Sequence, residues 1–290
     1  MAVVTIRKYF GFVRFEHTVF ALPFALASMA VAARETHGWP GWRTLLLVLA
    51  AMVCARTAAM GFNRIADRKL DALNPRTAGR HLPTGQMSVI SAWWLVIGAA
   101  MGLVVVTWFI NPICFYLSPV ALASVLFYPF TKRFTDFSHF FLGLGLSVAP
   151  VGAWLAVRGR FTQLWPPMVL ALAVVFWLVG FDIIYATQDY ASDKALGLRS
   201  LPVRLGIAGS LRFARWAHAM MAALLLGFGL ISQMGWPYYA GWTAIAACLV
   251  YQHRLAHNQD PVSVNAAFFR MNAVISVVLL ASVVADVVWK

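Results

Sequence analysis

At 290 residues the chain has the length of one or two soluble domains, but 61% of it is hydrophobic and only 11% charged, which excludes a soluble globular protein. The formal net charge of +13 does not argue for a nucleic-acid partner, because no soluble segment exists to present a basic face and polytopic membrane proteins collect Lys and Arg in their loops. Cys54, Cys114 and Cys248 all lie inside apolar runs without ligand-like spacing, so burial is expected of them rather than a disulfide or a metal site.

The first apolar run, Phe10–Ala33, follows a basic start that resembles a signal peptide. It carries Arg14, Glu16 and His17 at its mouth and is followed by a whole membrane protein, so it reads as the first helix. Further spans are predicted at Thr44–Phe62, Ser88–Ile110, Pro112–Phe130, Phe137–Val157, Leu164–Tyr185, Trp216–Ser232, Trp236–Gln252 and Val264–Val288. No Asp, Glu, Lys or Arg occurs between Arg80 and Lys132, nor between Arg215 and Arg254. Each of these stretches holds two crossings joined by a turn, Asn111-Pro112 in one and Gly235-Trp236-Pro237 in the other. The expectation is an all-α integral membrane protein of about nine helices, read as a single polytopic domain over residues 1–290.

Placing the N-terminus in the cytoplasm puts 18 of the 23 Lys and Arg residues on the inner side and leaves Arg34, Arg43, Arg158, Arg160 and Lys290 outside. The positive-inside rule therefore predicts N-terminus in, C-terminus out, and a place in the cytoplasmic (inner) membrane. A weak internal repeat accompanies this layout. Asp67 and Asp71 recur as Asp189 and Asp193, followed by Arg76-Thr77 and Arg199-Ser200, then by Leu82-Pro83 and Leu201-Pro202. Two four-helix halves and a ninth helix fit that pattern.

The chain has ten acidic residues, and five of them, Asp67, Asp71, Asp182, Asp189 and Asp193, fall in two segments at the cytoplasmic ends of the second and sixth helices. Asn63, Asp67 and Asp71 are four apart and form one stripe if the second helix continues. Asp182, Asp189 and Asp193, spaced by seven and four, share a side of the sixth helix if that helix continues too. Carboxylates crowded at membrane depth repel each other and need a compensating cation. An all-oxygen ligand set points to Mg²⁺, which is held by a few carboxylates together with substrate phosphates. The neighbouring Arg64, Arg68, Lys69, Arg76, Arg80, Lys132, Arg133 and Arg199 supply positive charge for the remaining phosphate oxygens, so the pattern describes a metal-diphosphate site. His253 and His257, four apart, are read as a solvated helix end rather than as metal ligands. The twelve Trp residues are read mainly as interfacial or lipid-facing.

Three elements in order resemble the UbiA superfamily of intramembrane aromatic prenyltransferases. Asn63, Asp67 and Asp71, continuing through Asn74-Pro75-Arg76-Thr77 and Arg80-His81-Leu82-Pro83, are similar to that family's NDxxDxxxD motif. Asp182, Asp189 and Asp193 resemble its second Asp motif, and Tyr128-Pro129-Phe130-Thr131-Lys132-Arg133 its YxxxKR element. Arg64 stands where the first motif usually has Asp, which puts a ligand role at that position in doubt. The variant motif, with Phe15-Glu16-His17-Thr18 and Ala21-Leu22-Pro23-Phe24, looks like the 4-hydroxybenzoate prenyltransferase-like branch linked to menaquinone formation.

The resemblance implies nine helices around a central cavity and Mg²⁺ between the Asp motifs, bound to Asn63, Asp67, Asp71, Asp189 and Asp193. It implies a polyprenyl diphosphate donor whose diphosphate Arg14, Lys132 and Arg133 help to bind; with the basic neighbours Arg76, Arg80 and Arg199 and with Asn63, these are the expected diphosphate-binding residues. The acceptor it implies is an aromatic acid or phenol, either hydroxybenzoate or a naphthoate-type precursor, in ubiquinone or menaquinone formation. Alternatives are prenyl transfer to a haem or chlorophyll precursor, or an ion-coupled transporter. A transporter predicts acidic groups nearer the membrane midplane than the helix ends on which these fall.

Overall fold

The structure is a computed structural model of the chain; it describes Tyr9 and residues 11–13, 18–258 and 260–290. Arg14, Glu16 and His17 lie outside the described residues. Among the described residues the chain is helical, with nine principal helices. These are α1 Thr18–Ala32, α2 Trp42–Leu73, α3 Val89–Ile110, α4 Pro112–Thr131, α5 Ser138–Arg158, α6 Trp165–Ala186, α7 Leu201–Ile231, α8 Trp236–His257 and α9 Asn272–Trp289. Seven of the segments are long and apolar enough to cross a membrane; α1 is a shorter apolar helix, and α8 carries the polar run Gln252-His253-Arg254 in its last two turns.

Local chemistry starts these helices where the sequence places turns. The Ser88 hydroxyl accepts the Ser91 amide at the start of α3, and the Asn111 side chain accepts the Cys114 amide at the start of α4, with Pro112 in the first turn. Ser200 does the same for α7 through the Val203 amide. The α3–α4 and α7–α8 hairpins thus form as expected, but three boundaries differ. Helix α2 runs eleven residues beyond Phe62, carrying the first Asp stripe out of the apolar zone. Helix α7 starts at Leu201, not near Trp216, and a left-handed Gly206 (φ 70°) sets its first turn off from the rest. The second Asp stripe is not on one continuous helix: α6 stops at Ala186, a tight turn spans Thr187–Asp189, and a short helix follows over Tyr190–Ala195.

Sequence neighbours pack side by side from α2 to α9, and α9 closes on α1, which also lies along α5. Helix α6 is the most enclosed, with 67% of its most apolar stretch buried against 17% for α2, α3 and α4, whose outer faces are left for lipid. A core of Phe20, Phe24, Trp154, Trp177, Phe181 and Phe228 joins α1, α5, α6 and α7. Exposed Trp39, Trp42, Trp108, Trp165, Trp236 and Trp289 gather near helix ends, the place of an interfacial belt. The end of the bundle away from the Asp motifs is laced by side chains on loop and helix-end carbonyls: Arg34 on Ser232, Arg43 on Phe109, Asn111 on Leu155 and Lys290 on Gln233.

Two polar networks lie among these apolar helices, where every unpaired group is costly. A π-helical turn at Ala267–Met271 precedes α9, and the buried Asn272 and Gln252 side chains donate to the carbonyls of Phe268 (2.7 Å) and Ala267 (2.9 Å). The Trp177 indole donates to Asn272 (2.8 Å), tying α6 to the same turn. His253 is not a solvated end: its Nε2 lies 2.9 Å from Nδ1 of the buried His218, whose Nε2 faces the Trp177 carbonyl at 3.2 Å. Gly180 gives the His218 ring its room, since a methyl there would overlap the imidazole. Gly180→Ala is therefore expected to destabilise the bundle by about 1–3 kcal/mol, read as a lower thermal transition of the purified protein in detergent. An unchanged transition would show that α6 and α7 move apart freely.

Candidate active site

The continuation of α2 is what brings the first Asp stripe to one place. Asn63, Asp67 and Asp71 follow one another at helical spacing, and Asp67 and Asp71 are buried. Lys132, at the C-terminus of α4, donates to Asp67 Oδ2 at 2.6 Å, and Arg80 donates to Asp71 Oδ1 at 2.6 Å. Helix α2 ends at Asn74, whose side chain accepts the Arg76 amide and donates to Asp189 Oδ1, both at 2.9 Å. That turn aims Arg76 back across the bundle. Its Nε donates to Asp189 Oδ1 at 2.8 Å, its Nη2 pairs with Asp189 Oδ2, and its Nη1 donates to the Tyr185 hydroxyl at 2.7 Å. Burial opposes the Arg76 charge, but the hydrogen bond and charge of Asp189 outweigh it and hold the guanidinium above its ordinary pKa. The two Asp motifs, 122 residues apart in sequence, are thus joined through the turn that follows α2.

Asp182, one turn before the end of α6, pairs with His139 at the start of α5, its Oδ2 lying 2.6 Å from His139 Nδ1. No partner for Asp182 is legible in the sequence; the only signal for His139 is a histidine in the first turn of a helix whose one other charged residue, Arg158, lies at its far end. Tyr185, one turn further along, stacks on Phe268 with ring centroids 4.2 Å apart, so the π-helical turn builds part of the wall.

These residues line two connected chambers. The polar one, of about 220 Å³, is bounded by Asn63, Asp67, Asp71, Arg76, Arg80, Lys132, His139, Asp182, Asp189, Asp193 and Arg199. The apolar one, of about 370 Å³, runs between α2, α4, α5 and α6 toward the far end of the bundle, with Arg56 and Arg64 among its few charged lining residues. Asn63, Arg80, Tyr128, Leu142, Asp182 and Tyr185 border both, and so mark the junction. Of the cationic residues singled out in the sequence, Arg76, Arg80, Lys132 and Arg199 line the polar chamber. Arg133 does not: it donates to the Ala66 carbonyl (2.9 Å) and lies over the Phe130 ring, bracing α4 against α2. Arg199 reaches the Phe134 carbonyl (2.7 Å), and its amide bonds the Lys132 carbonyl, fixing the segment that carries Lys132.

Among the described residues no three carboxylate, thiol or imidazole groups already converge as a metal cage. The donor set nevertheless suits a hard cation that keeps waters and takes further ligands from a substrate. Asp67 Oδ1 and Asp71 Oδ2 are buried and without a hydrogen-bond partner, although the other oxygen of each carboxylate is paired. Two unpartnered carboxylate oxygens on one helix face are what an oxygen-seeking cation requires.

The model of the UbiA prenyltransferase family matches residues 21–274. A 4-hydroxybenzoate octaprenyltransferase of Alcanivorax borkumensis is 34% identical over 227 residues, covering 77% of this chain and 76% of that one. The apo structure of a UbiA homolog from Aeropyrum pernix K1 superposes with a TM-score of 0.84 at 30% identity, covering 93% of this chain and 98% of the other. A UbiA homolog from Archaeoglobus fulgidus, solved bound to DMAPP and Mg²⁺, shares the fold with a TM-score of 0.73 at 19% identity, covering 97% and 99%. With a match spanning most of the helical bundle, this chain belongs to the UbiA prenyltransferase family.

Proposed function

We propose that this protein transfers a polyprenyl group from a polyprenyl diphosphate to an aromatic acid within the membrane, in quinone formation. The observation that carries the reading is the meeting of a charged chamber and an apolar one at Asn63, Tyr128, Asp182 and Tyr185. A prenyl diphosphate has one charged end and one apolar end, and its reacting C–O bond lies at their boundary. The relatives named 4-hydroxybenzoate octaprenyltransferase support hydroxybenzoate as the acceptor class. The guanidinium groups of Arg56 and Arg64 on the wall of the apolar chamber are the charge complement of an acid.

In this reading the diphosphate rests among Arg76, Arg80, Lys132 and Arg199, with Asn63 at the boundary and Arg133 adding positive field from outside the chamber wall. Mg²⁺ bound by Asn63, Asp67, Asp71, Asp189 and Asp193 would neutralise the charge of the leaving group as a Lewis acid. As the C–O bond breaks, the electron pair leaves with the diphosphate, and the cationic side chains stabilise the charge that develops there. A ring carbon of the acceptor forms the new C–C bond, and the ring proton passes to Asp182, which His139 holds at the junction. The apolar walls exclude water from the allylic cation, and the Tyr185–Phe268 stack presents ring faces beside it. The charge bias of the loops supports an inner-membrane protein with the Asp chamber open to the cytoplasm and the C-terminus outside.

The deciding experiment incubates the purified protein with labelled octaprenyl diphosphate, Mg²⁺ and a panel of hydroxybenzoates and hydroxynaphthoates. Prenylated product from at least one acid is expected, lost on chelation by EDTA; absence of product and of diphosphate release across the panel would refute the reading. Asp67→Ala and Asp189→Ala are each expected to lower turnover by at least about 10²-fold while the protein stays folded in the membrane. His139→Ala should lower kcat by about tenfold with the donor KM little changed, and His139→Gln, which can still donate to Asp182, should recover much of the loss. Equal activity of the Ala and Gln variants would remove His139 from the orientation of Asp182.

A further inference from the structure

We infer that Gly152 sets how long a prenyl chain the apolar chamber admits, an inference that rests on the prenyl-transfer reading. Helix α5 carries three glycines, and packing requires only the first of them, Gly143. A Cβ on Gly143 would crowd the Val175 backbone of α6, and one on Gly145 would touch Ser124 and Val125 of α4. Gly152 has no such neighbour: nothing lies within 4 Å of the place a Cβ would take, and the residue lines the apolar chamber. The missing side chain leaves room in the cavity, not room for a helix.

The position along the chamber gives this a length. Gly152 lies ten residues along α5 from Leu142, the residue of that helix that borders both chambers, about 15 Å at 1.5 Å per residue. With carbon–carbon bonds of about 1.5 Å, an extended isoprene unit covers roughly 5 Å, so Gly152 stands near the end of the third unit of a chain whose C–O bond lies at the junction. Near it Ile110, Cys114 and Leu155 line the chamber. There the Asn111 side chain ties the α3–α4 turn to the Leu155 carbonyl (2.9 Å), and Cys114 Sγ approaches the Gly152 carbonyl at 4.0 Å. A donor of two units ends before this level and one of three just reaches it, whereas longer ones have to pass Gly152. A side chain there meets only the longer donors.

The test compares the unaltered protein, Gly152→Leu and Gly152→Phe with geranyl, farnesyl and octaprenyl diphosphates, the same aromatic acid and Mg²⁺. Gly98→Phe, at an exposed glycine with equally open surroundings but outside the chamber, serves as the control. Both Gly152 variants are expected to keep geranyl transfer within about twofold and to lose octaprenyl transfer by at least about tenfold, more for Phe than for Leu, with farnesyl transfer falling between the two. The control should resemble the unaltered protein with every donor. A loss equal across all three donors, or octaprenyl transfer unaffected by Gly152→Phe, would overturn the inference. An unaltered protein inactive with all three donors would instead overturn the prenyl-transfer reading beneath it.

Discussion

Carboxylates buried at the end of a lipid-embedded bundle have to be neutralised, and most of this structure's architecture near the site follows from how that is done. Asp67 takes Lys132 from α4, Asp71 takes Arg80 from the loop after α2, Asp189 takes Arg76 from the same loop, and Asp182 takes His139 from α5. Each pair crosses between elements, so charge compensation also serves as tertiary fixation. Removing one partner would leave a poorly solvated charge, which costs far more than an exposed ion pair contributes. The same arrangement leaves Asp67 Oδ1 and Asp71 Oδ2 without partners. The chamber is therefore held together by ion pairs yet keeps free oxygen ligands, the combination expected of a site that takes up a cation and a polyanion together.

The apolar half of the site depends on a different economy of space. Helix α6 is enclosed, α2 to α4 face lipid, and the room between them is kept by small residues and closed by aromatic ones. The π-helical turn before α9 shows how local irregularity is supported: Asn272 and Gln252 bond the Ala267 and Phe268 carbonyls, and Phe268 comes to rest against Tyr185. Tyr185 in turn is held by Arg76, and Arg76 by Asp189. A continuous line of contacts therefore runs from the α8–α9 side of the bundle to the second Asp motif. The wall of the apolar chamber and the charge of the polar one are set by the same residues.

Much of the fold is legible in the sequence because lipid imposes a length. Uncharged stretches bounded by Arg80 and Lys132, and by Arg215 and Arg254, can only be pairs of crossings, and Asn111-Pro112 and Gly235-Trp236-Pro237 mark where each turns. Boundaries went astray where polar helix extends beyond the membrane, since hydropathy falls there while backbone hydrogen bonding continues. Helix α2 past Phe62 and α7 before Trp216 are both of this kind. His253 was misjudged for a related reason. Spacing along one helix says nothing about His218 on another, so the partner that draws His253 inward is invisible beside its sequence neighbour His257.

The sequence by itself determined that the chain is a helical membrane protein and that its acidic residues are concentrated in two motifs with basic neighbours, because composition and spacing are local properties and lipid tolerates few alternatives. Only the tertiary structure decided which cation faces which carboxylate, that Arg133 braces the helices while Arg76 reaches Asp189 and Tyr185, that His139 holds Asp182, and that the charged chamber opens onto an apolar one at Asp182. Those are contacts between side chains as much as 113 residues apart. Their distances are set by how the helices pack, which no stretch of sequence encodes alone.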